Sequence, residues 1–239
     1  MSVDKKHDLM INGFGSSGGG QFKEVVVNGN GTINGNIDCR NYDCNGMGTL
    51  NGDASAESVR INGKGKINGS VVARDIKVDG HAALNGDVTS ETIRISGHCS
   101  IGGTVKSEKI KINGKANIGG NCESEEFVTE GQFSIGGLLN AEDIDITLHA
   151  ECKAKEIGGQ TIRIRQKPSG FMKLIKALFP TRLITDMIEG DDIYLEGVHA
   201  KVVRGNNVTI GSSCEIDLVE YYEECSIDKG SSVKESNKL

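Results

Sequence analysis

Residues 61–77 read INGKGKINGSVVARDIK, and this stretch decides the fold because its pattern recurs every 17 residues. Glycine recurs at that interval in two registers, one starting at Gly29 and the other at Gly35. Between the glycines, apolar residues fall into columns with the same spacing. One such column consists of Val25, Tyr42, Val59, Ile76, Ile93, Ile110, Phe127 and Ile144. The recurrence over residues 25–159 therefore indicates a tandem repeat.

Each unit of the repeat carries three pairs of inward positions, and the members of a pair are two residues apart. In the quoted unit, Gly65 and Ile67 form one pair, and Val71 and Ala73 form the next. A spacing of two is typical of a strand with one buried face. Asn-Gly dipeptides separate the pairs, and both residues tolerate the backbone conformations of tight corners. Three short strands per coil predict an all-β fold, a single-stranded parallel β-helix solenoid with stacked coils.

The repeat divides the chain into five segments. Leu9 and Ile11 match Val25 and Val27 at an offset of 16, so we expect a degenerate capping strand, followed by a loose Gly/Ser tract. The predicted segments are an N-terminal segment 1–24, β-helix repeats 25–167, an insertion 168–190, further β-helix coils 191–228 and a polar tail 229–239. Because inward pairs return after the insertion, we expect it to interrupt one continuous stack.

The insertion has the pattern of a short amphipathic helix with Lys173 and Lys176 off its apolar face. That face consists of Phe171, Met172, Leu174, Ile175, Leu178 and Phe179. Pro180 ends the first helix, and the apolar residues of 183–188 predict a second helical turn or two that ends at Gly190. A basic amphipathic helix packs on its own protein, lies on a membrane surface or binds a partner, and the sequence leaves these three open.

Composition excludes several classes of protein. A net charge of −6 with a pI near 5.5 disfavours a nucleic-acid-binding surface. Five of the seven cysteines fall in inward columns, where a thiol acts as a small apolar filler: Cys39, Cys44, Cys99, Cys122 and Cys152. With no signal peptide and no run of 18 apolar residues, we expect a cytoplasmic chain that does not span a membrane.

Candidate chemical sites are weak. Residues 13–18 fit GxGxxG, but a β-repeat follows them where a dinucleotide-binding loop needs a helix. His81, His98 and His149 share an outward column whose other members include Lys64 and Lys115, and these lysines disfavour a bound cation. The asparagines at corner positions suit stacking of side-chain amides better than calcium binding. We therefore predict no catalytic residue, no metal site and no cofactor.

Two outward columns are charged. The basic one contains Arg60, Lys77, Arg94 and Lys111, and the acidic one contains Glu91, Glu108, Glu125 and Glu142. Like charges stacked along a ladder repel each other, so pairing across the corner, as between Glu91 and Arg94, would relieve both columns. The columns form either a solvated face with weak ion pairs or a lateral docking surface between filaments or onto a partner.

The ING-x-G-x-ING-x-V units, clearest at 61–71 and 27–37, resemble those of the bactofilins, which are bacterial polymer-forming cytoskeletal proteins. The resemblance implies a right-handed triangular β-helix that assembles end to end into filaments without nucleotide. It also implies scaffolding at the inner face of the cytoplasmic membrane, in cell shape, polar organisation or motility, with other bactofilin-like chains and membrane proteins as partners. Two features depart from the family: the chain has only Pro168 and Pro180 in place of proline-rich tails, and the insertion is extra.

The ends of such a stack are adhesive, because a β-helix leaves unpaired strand edges and an open apolar core there. We predict contacts between copies at Leu9 and Ile11 at one end and at Tyr221 and Tyr222 at the other. Two alternatives remain open. One is a monomeric or small-oligomer adaptor whose insertion caps one end. The other is a β-helical acyltransferase, which a period of 17 in place of 18 and the absence of a protruding loop disfavour.

Overall fold

The structure, a computed structural model, describes residues 7–167 and 181–239. Within these two ranges every regular element is a β-strand, and no helix occurs. Each strand pairs in parallel with a strand from a neighbouring coil. The predicted all-β parallel solenoid is therefore confirmed.

The chain divides into two compact units. Unit 1 consists of Met1–Glu108 with Gly114–Ile118, and unit 2 consists of Lys109–Asn113 with Gly119–Leu239. The strands of unit 1 are β1 (Leu9–Ile11), β2 (Phe14–Gln21), β3 (Glu24–Val27), β4 (Asn30–Cys44), β5 (Met47–Asn51), β6 (Ala54–Ile61), β7 (Lys64–Ile67), β8 (Val71–Val78), β9 (His81–Leu84), β10 (Val88–Ile95), β11 (His98–Ile101), the first half of β12 (Val105–Ile112) and β13 (Lys115–Ile118). Those of unit 2 are the second half of β12, β14 (Cys122–Thr129), β15 (Gln132–Leu148), β16 (Cys152–Gln166), β17 (Leu183–Leu195), β18 (Val198–Ile210), β19 (Glu215–Ile227) and β20 (Ser232–Lys238).

In unit 1 the coils stack with the predicted period. Strands β6 and β8 pair at an offset of 17 residues, which places Ile61 beside Val78. The expected three short strands per coil differ in one respect, because two of them merge into one bent strand. In β6 the backbone stays extended around Glu57, where the pairing skips one residue and the inward positions change from even to odd numbers.

The Asn-Gly corners of unit 1 carry two ladders of side-chain amides. In the first, each Nδ2 donates to the Oδ1 one coil before it at 2.7 to 2.9 Å, through Asn62, Asn45, Asn28 and Asn12. The second connects Asn85, Asn68, Asn51 and Asn34 at 2.7 to 2.8 Å. The predicted stacking of amides is confirmed, and it satisfies polar groups that would otherwise crowd along the corner.

The corner glycines touch the backbone of the preceding coil. A Cβ atom added to Gly80 would lie 2.0 Å from the carbonyl oxygen of Gly63 and 2.4 Å from that of Asn62. The same approach of 2.0 to 2.1 Å recurs at Gly46, Gly63, Gly97 and Gly114. Glycine is required here by the distance between coils.

The N-terminal segment forms part of the solenoid. Strand β1 pairs with β3 at an offset of 16, with Leu9 beside Val25 and Ile11 beside Val27, which confirms the predicted capping strand. The Gly/Ser tract was expected to loosen this cap, and that expectation was wrong. Residues 14–21 form β2, which pairs along β4 with one irregularity between Gly18 and Gly20.

In unit 2 the period changes. Ile135 of β15 pairs with Ala154 at an offset of 19, and Leu139 pairs with Ile157 at an offset of 18. Cys152 therefore does not share the column of Ile135, as the 17-residue count placed it, because extra residues at the preceding corner shift the register. Later coils are shorter, and β17 pairs with β18 at an offset of 15.

The predicted helical insertion is only partly within the described residues. Residues 168–180, including the apolar face from Phe171 to Phe179, lie outside them. The predicted second helical stretch, within 183–190, was wrong, since it belongs to strand β17. Leu183 and Thr185 are buried on one side of a corner and Ile188 on the other, so the inward spacing around a corner resembles that of a helix.

The C-terminal segment also differs from the expectation. Residues 229–239 were predicted to be a polar tail, but they contain strand β20, which pairs with β19 at an offset of 17. Its composition is polar, as expected, and most of its side chains are exposed.

Candidate functional site

The N-terminal edge of unit 1 is open on one face. Strand β2 pairs with β4 on one side, and in the described part of the chain no strand pairs with its other side. Gly15 and Ser17 continue the inward columns of Gly31 and Ile33. Ile33 is buried, whereas Gly15 is exposed and Ser17 half-buried. The inward columns thus end at this edge without a covering coil.

Apolar side chains surround this edge. Phe14 is 92% exposed and Met10 is 58% exposed. Of the two predicted contacts, Leu9 is half-buried, while Ile11 is buried, with its Cδ1 filling the space that a side chain at Gly31 would take. Ile11 is therefore a core residue, and sequence reasoning missed Phe14. The available signal was an aromatic in an outward position where the next coil has an asparagine.

Another face at this end is closed. Phe22 is buried, and the ring of His7 meets it edge-on, with 5.6 Å between the ring centroids and an interplanar angle of 85°. The Lys23 amide donates to the His7 carbonyl oxygen at 3.1 Å. The exposed strand edge is consequently concentrated on β2.

The C-terminal end of unit 2 is different. Its outermost strand β20 covers β19, so that Tyr221 pairs with Lys238 and donates its carbonyl oxygen as acceptor to the Leu239 amide at 2.9 Å. Lys234 forms an ion pair with Asp217 at 2.7 Å. Charged side chains on an edge strand oppose pairing with another strand. Tyr222, the other residue predicted at this end, is 50% exposed.

The outward charges have partners other than the expected ones. Arg60 lies 3.8 Å from Asp43 on the preceding coil, and Lys77 lies 2.7 Å from Asp79. Both arginine and lysine heads remain about half exposed. Such pairs contribute little to stability individually.

The histidine column gives no metal site. The rings of His81 and His98 stack with 5.9 Å between centroids, and their coil neighbours are Lys64 and Lys115. Among the residues described, no group of three or more His, Cys, Asp or Glu side chains is placed to hold a metal ion. The GxGxxG match also fails, because residues 14–21 continue as a strand and not as a helix.

The cysteines have no nucleophilic character. Burial raises the pKa of the Cys99 and Cys122 thiols to about 12 and that of Cys152 to about 11. A thiol must lose its proton to act as a nucleophile or metal ligand, and these remain protonated at neutral pH. They are core residues, as their columns predicted.

In the ranges that the structure describes, no helix has the length and apolarity needed to cross a bilayer.

Comparisons with known proteins agree with the repeat. The family model described as "Bactofilin: Polymer-forming cytoskeletal" matches residues 2–89. The uncharacterized protein YhbE of Bacillus subtilis (strain 168) is 56% identical over 238 residues, which cover 99% of this chain and 100% of YhbE. The uncharacterized protein YhbF of the same strain is 42% identical over 103 residues, and the match covers 43% of this chain and 42% of YhbF. No solved structure matches the chain.

The matched residues 2–89 all lie in unit 1, where the period is a regular 17 and the glycine and asparagine ladders run along the corners. The sequence match and the coil architecture thus identify the same part of the molecule, and the chain belongs to the bactofilin family of polymer-forming cytoskeletal proteins.

Proposed function

We propose that this chain is a structural protein, without catalytic activity, whose copies join end to end into filaments that need no nucleotide. The observation that carries the proposal is the open edge of β2, with unpaired backbone groups and an uncovered end of the inward columns. Family membership supports polymer formation in general.

The composition of β2 favours contact with another chain. Its sequence FGSSGGGQ has few side chains that could blunt the edge. A second strand can therefore approach to ~4.8 Å, the spacing within a sheet. Such a contact would pair the backbone groups of β2, cover Gly15 and Ser17 and remove part of Phe14 from water. We therefore assign the N-terminal edge as the main contact between copies, with Leu9 and Phe14 beside it.

Replacing Ser17 with lysine is expected to prevent this contact. Ser17 lies in an inward column that a stacked chain would bury, and a buried, unpaired ammonium costs on the order of 3 kcal/mol or more. That penalty raises the concentration needed for assembly about 100-fold or more. Ultracentrifugal sedimentation and negative-stain microscopy measure it.

The matched control is Ser16→Lys, because Ser16 is exposed and alternates to the outward side of the same strand. It should assemble as the wild type does. Equal sedimentation of the Ser17→Lys variant and the wild type would show that the contact lies elsewhere, provided both melt at the same temperature.

The polar strand β20 favours a second candidate, a small oligomer. If the C-terminal end stays closed, two copies would meet through β2 alone and stop at a dimer. The filament requires a contact at the other end, for which Tyr222 remains the predicted residue. Sedimentation velocity separates the two cases, because a filament gives a broad, concentration-dependent fast boundary and a dimer gives one sharp boundary.

We further propose that the filaments act as a scaffold at the inner face of the cytoplasmic membrane, in cell shape, polar organisation or motility. The predicted membrane contact is the apolar face from Phe171 to Phe179, which lies outside the described residues. This part of the proposal is supported by the sequence pattern and by the family resemblance.

A variant with Phe171→Glu and Phe179→Glu is expected to lose flotation with anionic liposomes, since two charges would enter the apolar face that inserts between lipids. The control is Met47→Glu with Val72→Glu, which changes two exposed apolar residues of unit 1 in the same way. Undiminished flotation of the phenylalanine variant would remove the membrane contact from the proposal.

A further inference from the structure

Unit 1 carries a line of six charged side chains along one corner of its coils. We call it the corner ladder, and its members are Lys23, Arg40, Glu57, Arg74, Glu91 and Glu108. All six are exposed. They lie one coil apart, because the strands that flank the corner pair at an offset of 17 residues. The Ser107 hydroxyl donates to the Glu91 carbonyl oxygen at 3.1 Å, which places the last two coils in the same stacking.

The ladder stands beside small residues. The neighbouring column consists of Cys39, Ala56, Ala73, Ser90 and Ser107. A groove of about 530 Å³ follows the ladder over its first coils and is lined by Lys23, Arg40, Glu57 and Arg74. Since this column is low, the charged groups project above it and can be reached by a flat partner.

The contacts that these charges make within the chain are weak. Arg40 lies 3.8 Å from Glu57, and both side chains are more than half exposed. Arg74 lies 3.2 Å from Asp75, with 58% of its side chain exposed. The charges of Glu57 and Glu91 contribute to the raised pKa of Arg74, after the hydrogen bond to Asp75 and the charge of Asp75. Exposed pairs of this kind exchange partners at little cost.

The order of signs along the ladder is its informative property. From Lys23 to Glu108 the signs run plus, plus, minus, plus, minus, minus. Read backwards, every position has the opposite sign. When two copies lie side by side in opposite directions, with a twofold axis between Glu57 and Arg74, each charge meets its opposite. Lys23 then faces Glu108, Arg40 faces Glu91 and Glu57 faces Arg74, each pair occurring twice.

We propose that the corner ladder is a lateral contact between two antiparallel copies of this chain. A parallel arrangement in register would place like charges together at all six positions, which is repulsive. A uniformly acidic or basic partner would be repelled by half of the ladder. A second copy in the opposite direction is the partner that satisfies every position, through a self-complementary twofold interface.

The adjoining surface is compatible with this arrangement. The column on the far side of the small residues consists of Gln21, Asp38, Ser55, Val72, Thr89 and Lys106. About the same axis Asp38 faces Thr89, and Gln21 faces Lys106, so no like charges meet. Val72 is 55% exposed and faces Ser55 next to the axis, which provides an apolar contact at the centre.

The lateral contact rests on the proposed end-to-end assembly for its strength. A single set of exposed ion pairs is weak, but a filament repeats the set along its length and multiplies it by effective concentration. The product is a bundle of filaments that run in opposite directions. Its formation falls with added salt, because salt screens exposed charges within ~3 Å at 1 M ionic strength.

Charge exchange tests the pairing. Lys23→Glu and Glu108→Lys each place like charges opposite one another, so each should reduce bundling, measured by low-speed pelleting, at least tenfold. The double variant K23E/E108K restores opposite signs and should restore bundling. Within the chain all three changes improve alternation along the ladder, so loss of folding does not explain the single-variant result. Lys66→Glu, an exposed lysine on a different column, is the control with the same change in net charge.

High-speed pelleting separates this inference from the proposed function, because single filaments sediment there without bundling. Filaments that pellet only at high speed, or a double variant that stays unbundled, would overturn the lateral contact alone. A second measurement needs no filament. Lys23 and Glu108 lie five coils apart in one chain, or ~24 Å, so a carbodiimide cross-link between them joins two chains. It should form in the Ser17→Lys variant, and its absence there would also overturn the contact.

Discussion

Alanine in place of Gly80 is expected to destabilise unit 1 by about 3 kcal/mol or more, at the upper end of effects for a single methyl group. The added Cβ would lie 2.0 Å from the carbonyl oxygen of Gly63 and 2.4 Å from that of Asn62. Both atoms are backbone, and each is held by hydrogen bonds to the next coil, so neither can move aside without opening the stack. Circular dichroism during urea unfolding measures the change.

The control for this variant is Gly13→Ala. A Cβ at Gly13 meets no atom within 4 Å, so the expected change lies within about 0.5 kcal/mol. If both variants unfold at the same urea concentration, the corner glycines are not required by the distance between coils.

Alanine in place of Phe127 is expected to lower the free energy of unfolding of unit 2 by about 3–5 kcal/mol. Phe127 has 0% exposure and packs edge-on against Phe133, with 5.5 Å between ring centroids. Removing the ring leaves a cavity that neighbouring coils cannot close, because their spacing is fixed by backbone hydrogen bonds. Urea unfolding, followed by circular dichroism, tests this value.

Phe14→Ala removes the same atoms from a side chain that is 92% exposed, so its expected effect on stability is within about 0.5 kcal/mol. Both phenylalanine variants are best made in the Ser17→Lys background, where assembly does not contribute to stability. Comparable losses from the two substitutions would contradict the burial assigned to Phe127.

The core of unit 1 could be predicted from sequence because its signal is repeated. Inward positions such as Val59 and Ile76 recur at a fixed interval, and a register error would have moved every side chain in the column. The asparagine ladders were predictable for the same reason. The open edge was predicted only as a region, since Ile11 and Phe14 have swapped roles there.

Unit 2 was less predictable because its coils vary in length. Once the offset changes from 17 to 18 or 19, counting from the preceding coil misplaces Cys152. Leu183 and Ile188 produced an apolar spacing common to helices and to corners between two strands. Strand β20 has few apolar residues, and its conformation depends on backbone pairing with β19, which composition does not report.

The fixed offset of unit 1 makes its length divisible. Every ladder contact joins a residue to its counterpart 17 positions away, so an internal coil relates to both neighbours in the same way. Removing or duplicating residues 61–77 as a block would leave each column continuous and change the rise by ~4.8 Å. Gene duplication in whole coils could thus adjust the size of such a building block while keeping both of its ends.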